Sequence, residues 1–433
     1  MEGALGRSST AVMHRFHNKT SMLQIPHQVS DPMRPAHAGR KLRILQVVPA
    51  YYPAVRYGGP IRSVHALAKT LVERGHEVHV FTSSMDGSKD LEVPLATPVN
   101  IDGVLVYYFP VPRLRRLCWC PAMKTALKRE IASFDVLHLH SVFLWPTWAA
   151  ARAARAAGVP YVIAPRGMLG MEVIRRKSRW VKSAWIHLIE RKTLREAAAL
   201  HVTADLERIE IQALHLQLPK IFCVPNGVGW PDQHMPLSEG PFADIAKPYA
   251  LFLGRIDAKK GLDRLIAAWK WVPDLTLIIA GNDESGYQKE LEKLANLHQA
   301  AARIRFVGSV ADRHKWALYE HATMFVLPSY SENFGNTVAE AMAMGCPVVV
   351  TPEVGLAGLV RASGAGIVVD GAPRPLADAI RALLKDSASR RIAGERGRFA
   401  ARRHLSWESA ASLMESVYGE IRPTGQSLGT RAA

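Results

Sequence analysis

The stretch "GWPDQHMPLSEGPFADIAKP" (229–248), followed at once by "YALFLGRI" (249–256), decides how the chain is divided. The first part is Pro-rich and has neither helical nor alternating spacing, which is the signature of a linker. The second is an apolar run that reads as a strand ending at a glycine. Upstream, strands are expected at 43–49, 77–82, 104–111, 135–140, 161–166, 200–204 and 220–225. Between them lie segments such as "IRSVHALAKTLVERGH" and "WAAARAARAAG", whose apolar residues recur at helical spacing. Downstream the alternation restarts, with strands expected at 249–256, 275–281, 303–308, 324–329, 347–352 and 366–370. Strands alternating with helices mean βαβ units and mostly parallel sheets. The fold class is therefore α/β, with two domains of similar size on either side of the linker. The expected boundaries are a mobile basic lead-in over 1–40, domains over 41–235 and 236–404, and a C-terminal helix and tail over 405–433. Paired domains of this kind bind ligands at the carboxyl ends of their strands, in the cleft between them.

Composition narrows the class. Of 433 residues, 48% are hydrophobic and 21% charged, a globular mix. No apolar run reaches the roughly 18 to 20 residues that span a bilayer, and the lead-in lacks the apolar core of a secretory signal. Four cysteines (Cys118, Cys120, Cys223, Cys346) are too few and too scattered for a disulfide framework, which fits a reducing, cytoplasmic compartment. Fifty-five Lys and Arg against 38 Asp and Glu give a net charge of +17. Such a charge attracts nucleic acid, anionic lipid or phosphorylated small molecules without choosing among them.

Three motifs carry chemistry. Gly58 and Gly59 open a helix at Ile61, where backbone N–H groups can meet an anion. The alternative there is only a loop with a cap. In "FLGRIDAKKGLDRL", Arg255 and Lys260 follow a strand's end and suit a diphosphate, a planar fork beside a point charge. The alternative is a solvated surface pair. In "SENFGNTVAE" (331–340), a helix starting near Asn336 leaves N–H groups of Phe334, Gly335 and Asn336 facing the cleft. Glu340, a little over one turn into the helix, can take the vicinal hydroxyls of a ribose. Glu332, before the turn, is free for the hydroxyls of a second group. Helix-start acidity explains one glutamate but not both. No histidine or carboxylate spacing suits a metal.

These residues resemble the signature of the retaining glycosyltransferases of family four. Arg255 with Lys260, then Glu332, seven residues and Glu340, stand with "YGGP", "GHEVHVFT", "DVLHLHS", "PRGML", "PNGV" and "EAMAMGCPVVVT" in the family's order. The likeness covers nearly the whole chain from about residue 41. It implies the glycosyltransferase-B (GT-B) fold, two Rossmann-like domains facing a cleft, with the C-terminal helix around Trp407 crossing back to the first domain. It implies a nucleotide-diphosphate sugar as donor substrate, no cofactor, no metal, and retention of anomeric configuration. By the same resemblance Arg255 and Lys260 stabilise the leaving diphosphate, and Glu332 contacts the donor sugar. Glu340 takes the ribose, and Phe334, Gly335, Asn336 and Thr337 line sugar and phosphate. Gly58 and Gly59 lie near the diphosphate, and Val310 meets the base.

Two features depart from the usual pattern. Arg166, in "APRGML", replaces a histidine common among relatives, a pattern of enzymes of bacterial surface polysaccharides, and suggests contact with an acceptor phosphate. "PNGV" continues with Gly229 and Trp230 where an Asp is usual. Of His138 and His140, one is expected to pack in the sheet and the other, His140, to approach the acceptor. The basic, Trp-containing segment 175–195 suits a membrane interface, or else a domain helix with its apolar face in the core. "RLRRLCWCP" (113–121) is a second candidate for contact with an anionic membrane. The function expected is transfer of a sugar to a glycan or lipid-linked glycan in polysaccharide biosynthesis, in the cytoplasm or at the inner membrane's cytoplasmic face. A non-hydrolysing nucleotide-sugar epimerase of the same fold is the alternative. No nucleic-acid-binding module is recognised.

Overall fold

A computed structural model describes residues 40–54, 59–170, 185–231, 236–237, 242–310 and 312–422. Its two sheets follow the two halves of the sequence. The strands of the first are β1 (Arg43–Val48), β2 (Glu77–Ser83), β5 (Pro98–Ile101), β6 (Val104–Phe109), β7 (Val136–His140), β8 (Tyr161–Ala164), β9 (Ala199–Val202) and β10 (Ile221–Cys223). They lie in the order β10-β9-β8-β7-β1-β2-β6-β5. The pairings are parallel except that β5 runs antiparallel to β6 at the edge. A small ribbon, β3 (Met85–Asp86) with β4 (Lys89–Asp90), stands apart. The second sheet has β11 (Tyr249–Leu253), β12 (Thr276–Ala280), β13 (Ile304–Gly308), β14 (Met324–Leu327), β15 (Val348–Val350) and β16 (Gly366–Val368). Its order is β13-β12-β11-β14-β15-β16, parallel throughout.

Helices cover both faces, so central strands read as continuous apolar runs; "VVV" of β15 is buried at every position. Those flanking the site are α1 (Gly59–Glu73), α2 (Pro121–Glu130), α3 (Trp145–Ala157), α4 (Arg191–Arg195), α5 (Asp205–Gln212), α6 (Leu262–Ala268), α7 (Gln288–Leu297), α8 (Asp312–His321) and α9 (Asn336–Ala343). The second half continues with α10 (Ala357–Ser363), α11 (Pro373–Lys385), α12 (Ser387–His404) and α13 (Trp407–Ile421).

In each sheet the direction of winding reverses once, between β1 and β7 in the first and between β11 and β14 in the second. At such a reversal the two neighbouring connections leave for opposite faces and open a crevice at the strands' carboxyl ends. Gly59 and His140 lie at the first of these points; Arg255, Lys260 and the 331–337 turn lie at the second.

The last helix does cross back. Ser406 caps α13 by accepting from the Ser409 N–H at 3.1 Å. Ala410, Ala411, Met414, Val417 and Tyr418 then join the core of the first domain with Val64, Leu67 and Leu71 of α1. Glu415 pairs with Arg74 at 2.6 Å and His76 at 2.9 Å. Burial opposes ionisation of Glu415, but the bonds from Arg74 and His76 outweigh it and hold its pKa at about 2. Where the chain leaves and re-enters the first domain, the Val228 N–H donates to the Leu405 carbonyl at 2.7 Å.

Three local expectations are corrected. The strand β5 and the ribbon were not foreseen. The strand expected over 161–166 stops at Ala164, and Arg166 sits in the turn beyond it at φ 56°. Helix α1 begins at Gly59, two residues before Ile61.

Candidate active site

Lys260 meets Glu332 because two loops dock at the second reversal point. Asp257 caps a single 3-10 turn by accepting from the Lys259 N–H at 2.9 Å. Gly261 then closes the turn at φ 67°, and a Cβ there would stand 1.9 Å from the Pro328 carbonyl oxygen, so only glycine fits. The Tyr330 N–H donates to the Lys259 carbonyl at 2.8 Å. With the loops locked, the Lys260 ammonium donates to the Glu332 carboxylate, both side chains largely buried. Sequence reasoning left Glu332 free and did not foresee its bond with Lys260. Arg255 is exposed.

The turn after Glu332 is held from one side. Glu332 donates its N–H to Glu353 at 3.0 Å and accepts from Gly355 at 2.9 Å, and Leu356 donates to the Phe334 carbonyl at 2.9 Å. Phe334 is buried. Gly335, at φ 101°, begins α9 with no side-chain cap, so the first N–H groups of Asn336 and Thr337 sit at a helix start whose partial charge is positive. Glu340 lies four residues along. Lys315 donates to its Oε1 at 2.7 Å and the Tyr319 hydroxyl to its Oε2 at 3.0 Å. A carboxylate accepts about four hydrogen bonds, so Glu340 retains capacity for two hydroxyls. Lys315 and Tyr319 were missed in the sequence; their i,i+4 spacing on α8 is common to any helix face. Val310 is half-buried against the second core, just past Gly308 at φ 70°.

The first domain reaches this turn. A Cβ on Gly59 would lie 2.7 Å from Asn336 Nδ2. Asn336 Oδ1 in turn accepts from Asn226 Nδ2 at 3.1 Å, and Asn226 Oδ1 from an Arg166 Nη at 3.0 Å. The other Arg166 Nη lies 3.3 Å from His140 Nδ1. Gly58 lies outside the described residues.

His138 and His140 are both buried: both belong to β7, whose positions are all covered. The rings form an ordered relay. His201 Nε2 lies 2.9 Å from the Val224 carbonyl, which only accepts, so Nε2 carries the proton. His201 Nδ1 must then accept from His138 Nε2 at 3.1 Å, and His138 Nδ1 from the Tyr418 hydroxyl of α13 at 2.8 Å. Burial, reinforced by the Arg166 charge, holds all three histidines below the ordinary value, His201 at about 3. Burial also lowers Arg166 to about 10, with Glu207 and Tyr418 opposing the shift. The guanidinium is thus engaged by Asn226 and His140.

Of the basic segment 175–195, residues 175–184, including Trp180, lie outside the described residues. From Trp185 on, the segment turns inward: Trp185 donates to Glu190 at 3.0 Å, and Ile186 and Leu194 are buried. In 113–121, Cys118 and Cys120 are buried and Arg115 pairs with Asp90 at 2.9 Å. Among the described residues no helix is long and apolar enough to cross a membrane. Among them, too, no three His, Cys, Asp or Glu side chains gather as a metal site.

Comparison with known proteins agrees with this geometry. Residues 58–227 match the glycosyl transferase 4-like domain, and residues 241–399 the glycosyl transferases group 1. The glycogen synthase of Mycobacterium tuberculosis is 30% identical over 423 residues, covering 88% of this chain and 97% of that protein. Among solved structures, the sucrose-phosphate synthase of Thermosynechococcus elongatus superposes with a TM-score of 0.71 at 22% identity, over 88% of this chain and 99% of that one. HepE of Anabaena, solved with UDP and glucose, superposes at 0.65 and 18% identity, over 88% and 100%. The fold is that of a GT-B glycosyltransferase. The chain belongs to the group 1 glycosyltransferases, of the family-four type, and the epimerase alternative is set aside.

Proposed function

We propose that this glycosyltransferase moves a sugar from a nucleotide-diphosphate donor to a glycan or lipid-linked glycan acceptor, with retention and without a metal. The observation that carries this reading is the turn between Glu332 and Glu340. It brings a glutamate paired with Lys260, an uncapped helix start and a second glutamate together at one reversal point. Arg255, Lys260 and the N-terminus of α9 supply the positive charge that a departing diphosphate needs, which in other enzymes a metal provides. Phe334, Gly335, Asn336 and Thr337 line sugar and phosphate, with Gly59 opposite. Glu340 takes the ribose, Val310 lies against the base, and Glu332 orients the donor sugar.

No side chain stands as a covalent nucleophile in this scheme. The bond from the anomeric carbon to the diphosphate breaks and the bond to the acceptor oxygen forms on one face. The acceptor's hydroxyl proton passes to the leaving phosphate oxygen. A UDP-bound solved structure of the same fold supports a nucleotide donor, and a glycogen synthase among the relatives supports a glycan acceptor. Phe143, Leu144 and Trp145, half-buried apolar residues just past β7, favour an acceptor with an apolar portion, presented at a membrane's cytoplasmic face. Arg166 and His140 act there by shaping the acceptor side from within.

The test is a titration of UDP, GDP and ADP against purified protein, with chelator present, beside Glu340→Ala. One nucleotide is expected to bind and to weaken in the variant. Folded protein that binds none of the three overturns the proposal.

A further inference from the structure

Asn333, inside the turn, is bonded not to its own domain but to the first. Its Nδ2 donates to Thr203 Oγ1 at 2.9 Å and to Glu207 Oε2 at 3.2 Å. Glu207 is 2% exposed and is fixed independently, accepting from the Gly167 N–H at 2.6 Å and the Thr203 N–H at 3.0 Å. The fit is close: a Cβ on Gly167 would come within 3.0 Å of the Asn333 side chain. At the other end of the turn, Asn336 is bonded to Asn226, which Arg166 holds. The segment Asn333–Asn336 is therefore clasped at both ends by groups that follow β8, β9 and β10.

We propose that Asn333, through Glu207 and Thr203, and Asn226, through Asn336, are positioning residues that latch the turn to the opposite domain. The latch couples closure of the cleft to assembly of the sugar-donor site. When the halves separate, Glu207 keeps its bonds to Gly167 and Thr203 and loses only Asn333. The amide is thus the element made on closing and broken on opening, and its bond to a buried carboxylate is a charge-assisted one. Phe334 and Gly335 lie between the two clasps, so engagement of the first domain adds to the hold that the Leu356 N–H already has on the Phe334 carbonyl. By linkage, a ligand that needs those groups ordered favours the closed form, and the closed form binds it more tightly. This rests on the sugar-donor reading of the turn.

The decisive variant is Asn333→Asp, which keeps size and shape but sets a carboxylate against Glu207; Asn333→Ala only removes the bond. Small-angle X-ray scattering of the ligand-free chain is expected to give a larger radius of gyration for N333D than for N333A, and for both than for wild type. Where wild type binds UDP, GDP or ADP, the dissociation constant is expected to rise about tenfold in N333D. Wild-type scattering from folded N333D overturns the latch. Should N333D not fold, Asn226→Ala carries the scattering test through the second clasp. Scattering needs no nucleotide. A wild-type chain that binds none of the three therefore sinks the sugar-donor reading while the latch is still decided.

Discussion

Trp407 packs directly on Gly227: a Cβ at the glycine would stand 2.3 Å from the indole ring and 2.8 Å from the Trp407 backbone. Gly227 lies on the outgoing connection between the halves and Trp407 opens α13 just after the returning one, where Val228 and Leu405 are already joined. Gly227→Ala is expected to force the connections apart and to cost about 1–3 kcal/mol, as overpacking does. Thermal and urea unfolding measure it. An unchanged midpoint in both would show that the crossing yields freely.

The Lys260–Glu332 pair predicts coupled losses in catalysis. On the proposed reading, Lys260→Ala strands a carboxylate beside the diphosphate, and Glu332→Gln frees the lysine but removes the contact proposed for the donor sugar. Each is expected to lower kcat/KM by about 10²–10³-fold, and the double variant to fall by less than the product of the two. Strictly multiplicative effects would mean that the two groups act apart.

The histidine relay predicts acid sensitivity in a defined window. In the fold His201 titrates at about 3 and His138 and His140 also lie low, whereas an unfolded histidine titrates near 6.5. Below about 6.5 the unfolded chain binds more protons than the folded one, so stability falls as pH falls. The melting temperature is expected to drop between pH 7 and 5, with a shallower slope in His201→Asn. Glu415 is a carboxylate with a depressed value of about 2, so its contribution is complete above the ordinary carboxylate range and is lost only below it. The two effects therefore separate on the pH axis. A flat profile from 7 to 5 would count against the relay as drawn.

Much of this was legible in the sequence, for identifiable reasons. The strand β11 is a short apolar run between a proline and a glycine, and nothing else fits that pattern. The turn at Phe334–Asn336 declared a helix start, and Gly335 takes the positive φ that only glycine adopts readily. The edge strand β5 was hidden because "PVNI" is only four residues long and nowhere fully buried, and β-pairing there depends on β6. The Asn333 clasp joins residues 130 apart and the Tyr418–His138 bond residues 280 apart. No local pattern marks such partners, because an asparagine in a loop looks the same whether or not a buried glutamate awaits it. The Lys260–Glu332 bond was hidden for the same reason, since the docking of Gly261 on Pro328 is a tertiary event.

The placement of α13 bears on how the protein is made. Ala411, Met414 and Tyr418 seal the face of α1 and β1, yet they are among the last described residues of the chain and follow the entire second domain. A ribosome delivers the first domain's remaining wall only after the second domain has emerged. The earlier half therefore waits with an apolar face uncovered, the condition in which nascent chains call on chaperones.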